Sequence, residues 1–241
     1  MPSTFGAVHL AHDCIKRFVR PGDICIDATA GRGRDTLFLC QLVGETGTVY
    51  AFDIQADAIA STRELLEQHG CNAQAHLFQT SHANMKQLVS GPVRCVVFNF
   101  GWLPGGDHNI CTRTQSSLSA IEQGLELLEE GGIMSLSIYY GKNNGFEERD
   151  AILEYLKQLD IRTYSVLVSQ FYNRPNCPPI SATILKVHCT AKRQCLPFAE
   201  IPLKGLCFPR NDRLLSHKAA HIAQLEGSLP VPLHQLPKGK Q

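Results

Sequence analysis

Apolar positions in this chain fall into two alternating textures. Short, nearly unbroken apolar runs at residues 24–28, 48–53, 74–79, 94–99, 132–139, 163–171 and 181–188 read as strands of a largely buried sheet. Between them, stretches at 36–43, 56–68, 116–129 and 147–159 repeat apolar residues every three to four positions, as one face of a helix does. The same spacing links Val8, Ala11, Ile15 and Phe18 within residues 4–19, where Arg20-Pro21-Gly22 then stops the helix. Strands alternating with helices predict an α/β fold, a Rossmann-like doubly wound sheet of seven strands. Only residues 172–180 join the last two strands, too few for a helical crossover, so a C-terminal antiparallel hairpin is expected on an otherwise parallel sheet.

Composition narrows the setting. At 241 residues and 44% hydrophobic, the chain can bury one large core. No apolar run is long enough to span a bilayer and no charged-then-apolar start resembles a signal peptide. A cytoplasmic protein that keeps its N-terminus and has no membrane partner is therefore expected. Ten cysteines are scattered without a Cys-x-x-Cys pair. Cys25, Cys40 and Cys95 fall in apolar patterns, where a reduced thiol behaves as a small hydrophobe. His217 and His221 stand at i, i+4 with no third ligand nearby, so a solvated face is expected there and no metal site.

Charge divides the chain. Residues 189–241 carry eight Lys or Arg against three Asp or Glu, a net of +5, whereas the first 188 carry fifteen against nineteen, a net of −4. Six prolines in the same segment argue against a second doubly wound unit. The expected organisation is a catalytic domain at 1–188 and a basic extension at 189–241, either an RNA-contacting arm or a solvated extension packed on the core.

Candidate chemistry sits at the strand ends, where doubly wound sheets bind ligands. After the first strand, Gly31-Arg32-Gly33-Arg34-Asp35-Thr36 forms a turn into a helix whose glycine amides are expected to approach a cofactor, with Asp27 placed to accept from an ammonium or hydroxyl. The second strand ends in Asp53, about twenty residues on, where an acid can take two ribose hydroxyls. The turn lacks the third glycine of a dinucleotide fingerprint, so a ribose cofactor without a pyrophosphate fits better, and S-adenosylmethionine is the expectation. Past the fourth strand, Asn99-Phe100-Gly101-Trp102 can accept hydrogen bonds from an amino group through Asn99 while Trp102 packs on a flat substrate. The loop continues through Asp107 and His108, candidate bases for that amine. A polar strand end with Trp102 as a core anchor is the alternative.

These residues resemble the class I methyltransferases, and within them a narrow family labelled rRNA methylases, whose characterised members methylate 5-aminomethyluridine at the tRNA wobble position. The resemblance covers about residues 5–188. It rests on Asp27-Ala-Thr-Ala-Gly31, Asp35-Thr36, the segment around Asp53 and Gln55, Ser81-His82, the Asn99 to His108 loop, Tyr139-Tyr140-Gly141, Asn173 and Pro178-Pro179. It implies a cofactor set of Asp27, Thr29, Gly31, Gly33, Asp35, Asp53, Gln55, Ser81 and His82, a catalytic set of Asn99, Asp107 and His108, and substrate contacts from Trp102, Arg113, Tyr139 and Tyr140. The implied partner is the anticodon stem-loop of tRNA, and a homodimer is left open.

Three departures stand out: Arg32 and Arg34 replace the family's usual Asn and His, Trp102 replaces Tyr, and Lys142 replaces His. Two cations beside a cationic sulfonium are unfavourable unless they swing outward or pair with Asp35 or an RNA phosphate. Methylation of an rRNA base or of a small-molecule amine is the alternative activity. A silent S-adenosylmethionine- or RNA-binding protein is the alternative outside catalysis.

Overall fold

The computed structural model describes residues 6–101, 112–141 and 145–187. Trp102, Asp107, His108 and the basic extension at 189–241 lie outside these residues.

Seven strands form one sheet: β1 (Ile24–Asp27), β2 (Thr48–Asp53), β3 (Ala75–Gln79), β4 (Val93–Phe100), β5 (Leu128–Ile138), β6 (Tyr164–Ser169) and β7 (Ile180–Lys186). Their order is β3-β2-β1-β4-β5-β7-β6. The first five run parallel, and β7 is antiparallel to both β5 and β6. The hairpin forms as expected, with β7 inserted between β5 and β6.

Alternation along the strands sorts the helices. Val96, Phe98 and Phe100 of β4 join one core with Met85 of α4 (Met85–Leu88), Ile121 and Leu125 of α5 (Thr114–Leu127) and Ile152 of α6 (Phe146–Lys157). Cys95 and Val97, on the opposite face, join Ile15 of α1 (Ala7–Phe18), Leu39 and Val43 of α2 (Arg34–Val43) and Leu66 of α3 (Ala56–Gln68). Asn99 has the parity of Cys95 and Val97, which turns it toward the α1–α2 side.

Two boundaries differ from the sequence pattern. A single 3-10 turn at His82–Asn84 leading into α4 was missed, because four residues are too few to show a period. Strand β5 starts at Leu128, directly after α5, well before residue 132. Its pairing with β4 jumps from Val93–Leu128 to Cys95–Ile133, so residues 129–132 buckle out of register. The polar Glu129-Glu130 and two glycines hid that early start.

Cys25, Cys40 and Cys95 are fully buried free thiols, as expected, and burial pushes the Cys40 thiol up to about 12. Among the described residues, no group of His, Cys, Asp or Glu is arranged to hold a metal, and no helix is long and apolar enough to cross a membrane.

Candidate active site

Parallel strands deliver their last residues to one edge of the sheet: Asp27 from β1, Asp53 from β2, and Asn99 and Phe100 from β4, with Tyr139 just past β5. Three acids, Asp27, Asp35 and Asp53, gather around the turn between β1 and α2.

Asp53 spans the cofactor side. Its Oδ2 accepts from the Gly31 amide at 3.0 Å and its Oδ1 from the Gln55 amide at 2.9 Å. The Gly31 amide is therefore bound within the protein, and the Gly33 amide donates to the Ala30 carbonyl at 2.8 Å. This corrects the expectation that both amides face a ligand. Gly33 is required for another reason. Its φ is +78°, and a Cβ there would lie 2.9 Å from the Thr62 backbone, so it supplies the close approach of turn to helix that a third glycine supplies in dinucleotide sites. Beside Asp53, Ile54 is an aliphatic side chain 55% exposed, an apolar face that the strand pattern alone did not single out.

Asp27 lies beneath the turn, fully buried. It accepts from the Thr36 hydroxyl at 2.6 Å and the Thr29 amide at 3.1 Å. Burial first, and the Asp35 charge second, push its carboxyl up to about 7. Its place is thus under the cofactor turn, where it ties β1 to α2.

Asp35 holds the two halves of the site together. His12 Nε2 lies 2.7 Å from Asp35 Oδ1, and Asn99 Nδ2 donates to Asp35 Oδ2 at 2.7 Å. The Asn99 amide N–H in turn donates to Thr29 Oγ1 at 2.7 Å. A carboxylate only accepts, so the contact identifies Nδ2, and Asn99 Oδ1 is left without a partner among the described residues. Arg32 and Arg34 are both exposed and form no ion pair with Asp35 among the described residues. His12 was missed, although the helical pattern had already placed its neighbours Ala11 and Ile15 on the packed face.

On the next strand end, Ser81 Oγ caps the 3-10 turn by accepting from the Ala83 amide at 3.2 Å. His82 is buried edge-on against Phe98 and Phe100. Burial holds its imidazole below the ordinary value, partly offset by a hydrogen bond to the Ala28 backbone, so it is neutral at pH 7. Its Nε2 is enclosed and has no hydrogen-bond partner among the described residues.

The substrate side is built on close packing. Gly101, at φ +145°, leaves only 3.1 Å between a hypothetical Cβ and Tyr139 Cβ. Tyr139 is half-buried, and burial plus the Asp35 charge raise its phenol. At neutral pH it is a hydrogen-bond donor, which counts against its use as a base. Tyr140 meets Phe146 edge-to-face, with the Arg149 guanidinium 4.6 Å above its ring. Arg113 is exposed at the N-terminus of α5 with no side-chain partner among the described residues.

Both feet of the segment 102–111 are pinned. The Gly101 amide donates to Thr112 Oγ1 at 2.9 Å, and the Thr112 amide to the Gly101 carbonyl at 3.0 Å. Glu148, buried at the start of α6, accepts from Thr112 Oγ1 at 2.7 Å and from Ser117 Oγ at 2.6 Å. Sequence reading missed this clamp, since an acid in a first helical turn ordinarily faces water.

Comparison with known proteins follows the same lines. The family described as "Putative rRNA methylase" matches residues 49–185. A protein of Arabidopsis thaliana named tRNA (mnm(5)s(2)U34)-methyltransferase, chloroplastic, is 37% identical over 182 residues, 71% of this chain and 66% of that protein. The chain thus spans just under two thirds of that relative. A "putative rRNA-methylase" from Clostridium thermocellum superposes with a TM-score of 0.75 at 43% identity, covering 77% of this chain and all of that one. A "putative methyltransferase" from Streptococcus mutans, solved in complex with SAH, gives a TM-score of 0.71 at 36% identity over 76% of this chain and 99% of that one. With its β3-β2-β1-β4-β5-β7-β6 sheet and this match, the chain belongs to the rRNA-methylase family of class I methyltransferases.

Proposed function

We propose that the chain is an S-adenosylmethionine-dependent RNA methyltransferase that converts 5-aminomethyl-(2-thio)uridine to its 5-methylaminomethyl form at the wobble position, in the anticodon stem-loop of tRNA. The observation that carries this reading is Asn99. Its amide is anchored through Nδ2 to Asp35 and its Oδ1 is left to accept, one turn from the Gly31–Asp53 ribose site.

The residues present suit the cofactor. Each Asp53 oxygen holds one amide and keeps a second lone pair for a ribose hydroxyl. Ile54 offers an exposed apolar face to a purine. Ser81 and Gln55 follow the ends of β3 and β2, at the same edge of the sheet. Asp27 and Thr29 brace it from beneath, and the Asp35 and Asp53 carboxylates favour a cationic ligand. Bound there, S-adenosylmethionine supplies an electrophilic methyl group.

The chain's own task is to present a neutral amine. An alkylamine of reference pKa about 10.4 is mostly protonated at pH 7, and only the free base carries a lone pair. Asn99 Oδ1 accepts one amine N–H, which turns the lone pair away from Asn99. Asp107 and His108 are the proposed bases, with Trp102, Tyr139 and Tyr140 flanking the uracil and Arg113 reaching a phosphate.

The test is methylation in vitro of synthetic anticodon stem-loops that differ only in the wobble nucleoside, read by nucleoside mass spectrometry. A gain of one methyl group on 5-aminomethyl-2-thiouridine, and none on the unmodified loop, supports the reading. Methyl on another nucleoside, or none, removes it.

A further inference from the structure

We infer that His12 is a positioning residue for the methyl-acceptor site, acting through Asp35 to hold the Asn99 side chain with Oδ1 presented to the substrate amine. The inference rests on the proposed function above and adds a residue from a helix that carries none of the expected site.

Three separate elements converge on one carboxylate. Asp35 lies in the first turn of α2, where the helix's free amides and dipole would ordinarily suffice to satisfy an acid. Instead its two oxygens receive donors from elsewhere: His12 from α1 on Oδ1 and Asn99 from β4 on Oδ2, each at 2.7 Å. A donor on each oxygen fixes rotation of the carboxylate about its Cβ–Cγ bond, and that fixes where Asn99 can bond. The Asn99 backbone is pinned independently by Thr29 Oγ1, so the remaining freedom of the residue lies in its side chain, which Asp35 removes. Without such an anchor a terminal amide flips readily between its carbonyl and amino ends, because its final torsion is soft.

The imidazole is itself held. It stacks flat on Phe38 with ring centroids 3.7 Å apart and planes within 8°. Its Nε2 is the bonding atom, so the ring presents a proton there to the carboxylate. His12 is thus part of a line running His12, Asp35, Asn99, in which only the last member faces the acceptor. Outer partners that orient a reacting group in this way contribute effects on the order of ten- to a hundredfold.

The experiment separates a stacking role from a hydrogen-bonding one. His12→Phe keeps an aromatic ring on Phe38 and deletes the donor; His12→Gln places an amide nitrogen close to the Nε2 position. On the aminomethyl stem-loop, His12→Phe is expected to lower kcat at least about tenfold with KM for RNA and Kd for S-adenosylmethionine unchanged, and His12→Gln to recover to within about threefold of wild type. In parallel, the Asn99 side-chain amide signals in a nitrogen-15 correlation spectrum report its anchoring without any turnover. They should be well resolved and shifted by the carboxylate in wild type and His12→Gln, and collapse toward free-amide positions in His12→Phe. Unchanged kcat and unchanged Asn99 signals in a folded His12→Phe protein overturn the inference, as does a parallel loss of kcat, affinity and melting temperature that His12→Gln fails to rescue. If wild type does not methylate the stem-loop, the proposed function fails, and the Asn99 signals alone still decide whether His12 sets that side chain.

Discussion

Asn99 and Asp35, 64 residues apart in sequence, are joined by a 2.7 Å hydrogen bond from Nδ2 to Oδ2, and this one contact distinguishes the carbonyl end of the Asn99 amide from its amino end. Replacing Asn99 by Ala removes the proposed acceptor for the amine and leaves the contacts of Asp53 in place. The expected result is a kcat lower by about a hundred- to a thousandfold, the scale of one pre-set polar contact in a transition state, with little change in S-adenosylmethionine affinity. Single-turnover methyl transfer beside calorimetric titration checks this; a variant that loses both together would assign Asn99 to the cofactor.

Asp53→Ala is expected to act in the opposite way. It deletes the proposed ribose acceptor and frees the Gly31 and Gln55 amides it now holds. Loss of a charge-assisted acceptor corresponds to about 1.5 to 3 kcal/mol, or roughly ten- to a hundredfold in cofactor affinity, while RNA binding is preserved. Unchanged cofactor affinity in a folded variant takes Asp53 out of the site.

Asp27 gives the fold a pH dependence of unusual sign for an acid. Its carboxyl is raised to about 7 in the folded protein from 3.8, so the folded state keeps a proton that the unfolded chain releases. Its contribution is complete below the unfolded value and is lost as pH rises toward 7, at up to about 1.4 kcal/mol per pH unit. His82, held below its ordinary value, works the other way: stability falls as the solution is acidified below about 6.5. The informative quantity is therefore the difference between wild type and Asp27→Asn in urea unfolding from pH 5 to 8. The variant should gain relative stability as pH rises, and a constant difference would place the Asp27 proton elsewhere.

Glu148 anchors Thr112 and Ser117 with both oxygens while almost fully buried. Glu148→Ala strands the buried Ser117 hydroxyl and the partly buried Thr112 hydroxyl, for an expected loss of about 1 to 3 kcal/mol, and Glu148→Gln, which keeps one acceptor, should lose less. Because Thr112 also holds Gly101, both changes should raise KM for RNA more than Kd for S-adenosylmethionine. Equal effects on the two would make Glu148 a general stabiliser of α6 with no special bearing on the substrate side.

Much of this arrangement was readable from residue types alone, and the rest depended on topology. The apolar runs located every strand, and the alternation of Cys95, Val97 and Asn99 against Val96, Phe98 and Phe100 already placed Asn99 on one face. The place of Asp53 at the end of β2, against the glycine turn, was legible from the strand pattern, and its proposed ribose role rests on that position. His12 was not, because its partner lies 23 residues away, and which strands α1 packs against depends on where β7 inserts. Asp27 was read as a ligand contact since its type and position suit one; only the packing of Thr36 over it shows that it is enclosed. Glu148 was hidden by the habit of acids in first turns to meet solvent.

The insertion of β7 sets the order in which a working molecule can appear. β5 lies inside the finished sheet, yet one of its neighbours is the last strand to be made, and α1, the first helix made, packs against β5 and β7 together. During synthesis the early helix has no complete surface to settle on until residues 180–186 have left the ribosome. His12 rides on that helix, so its contact with Asp35 depends on the packing of α1. A chain cut before residue 180 would leave α1 without its contacts to β7 and β5 without one of its two neighbours.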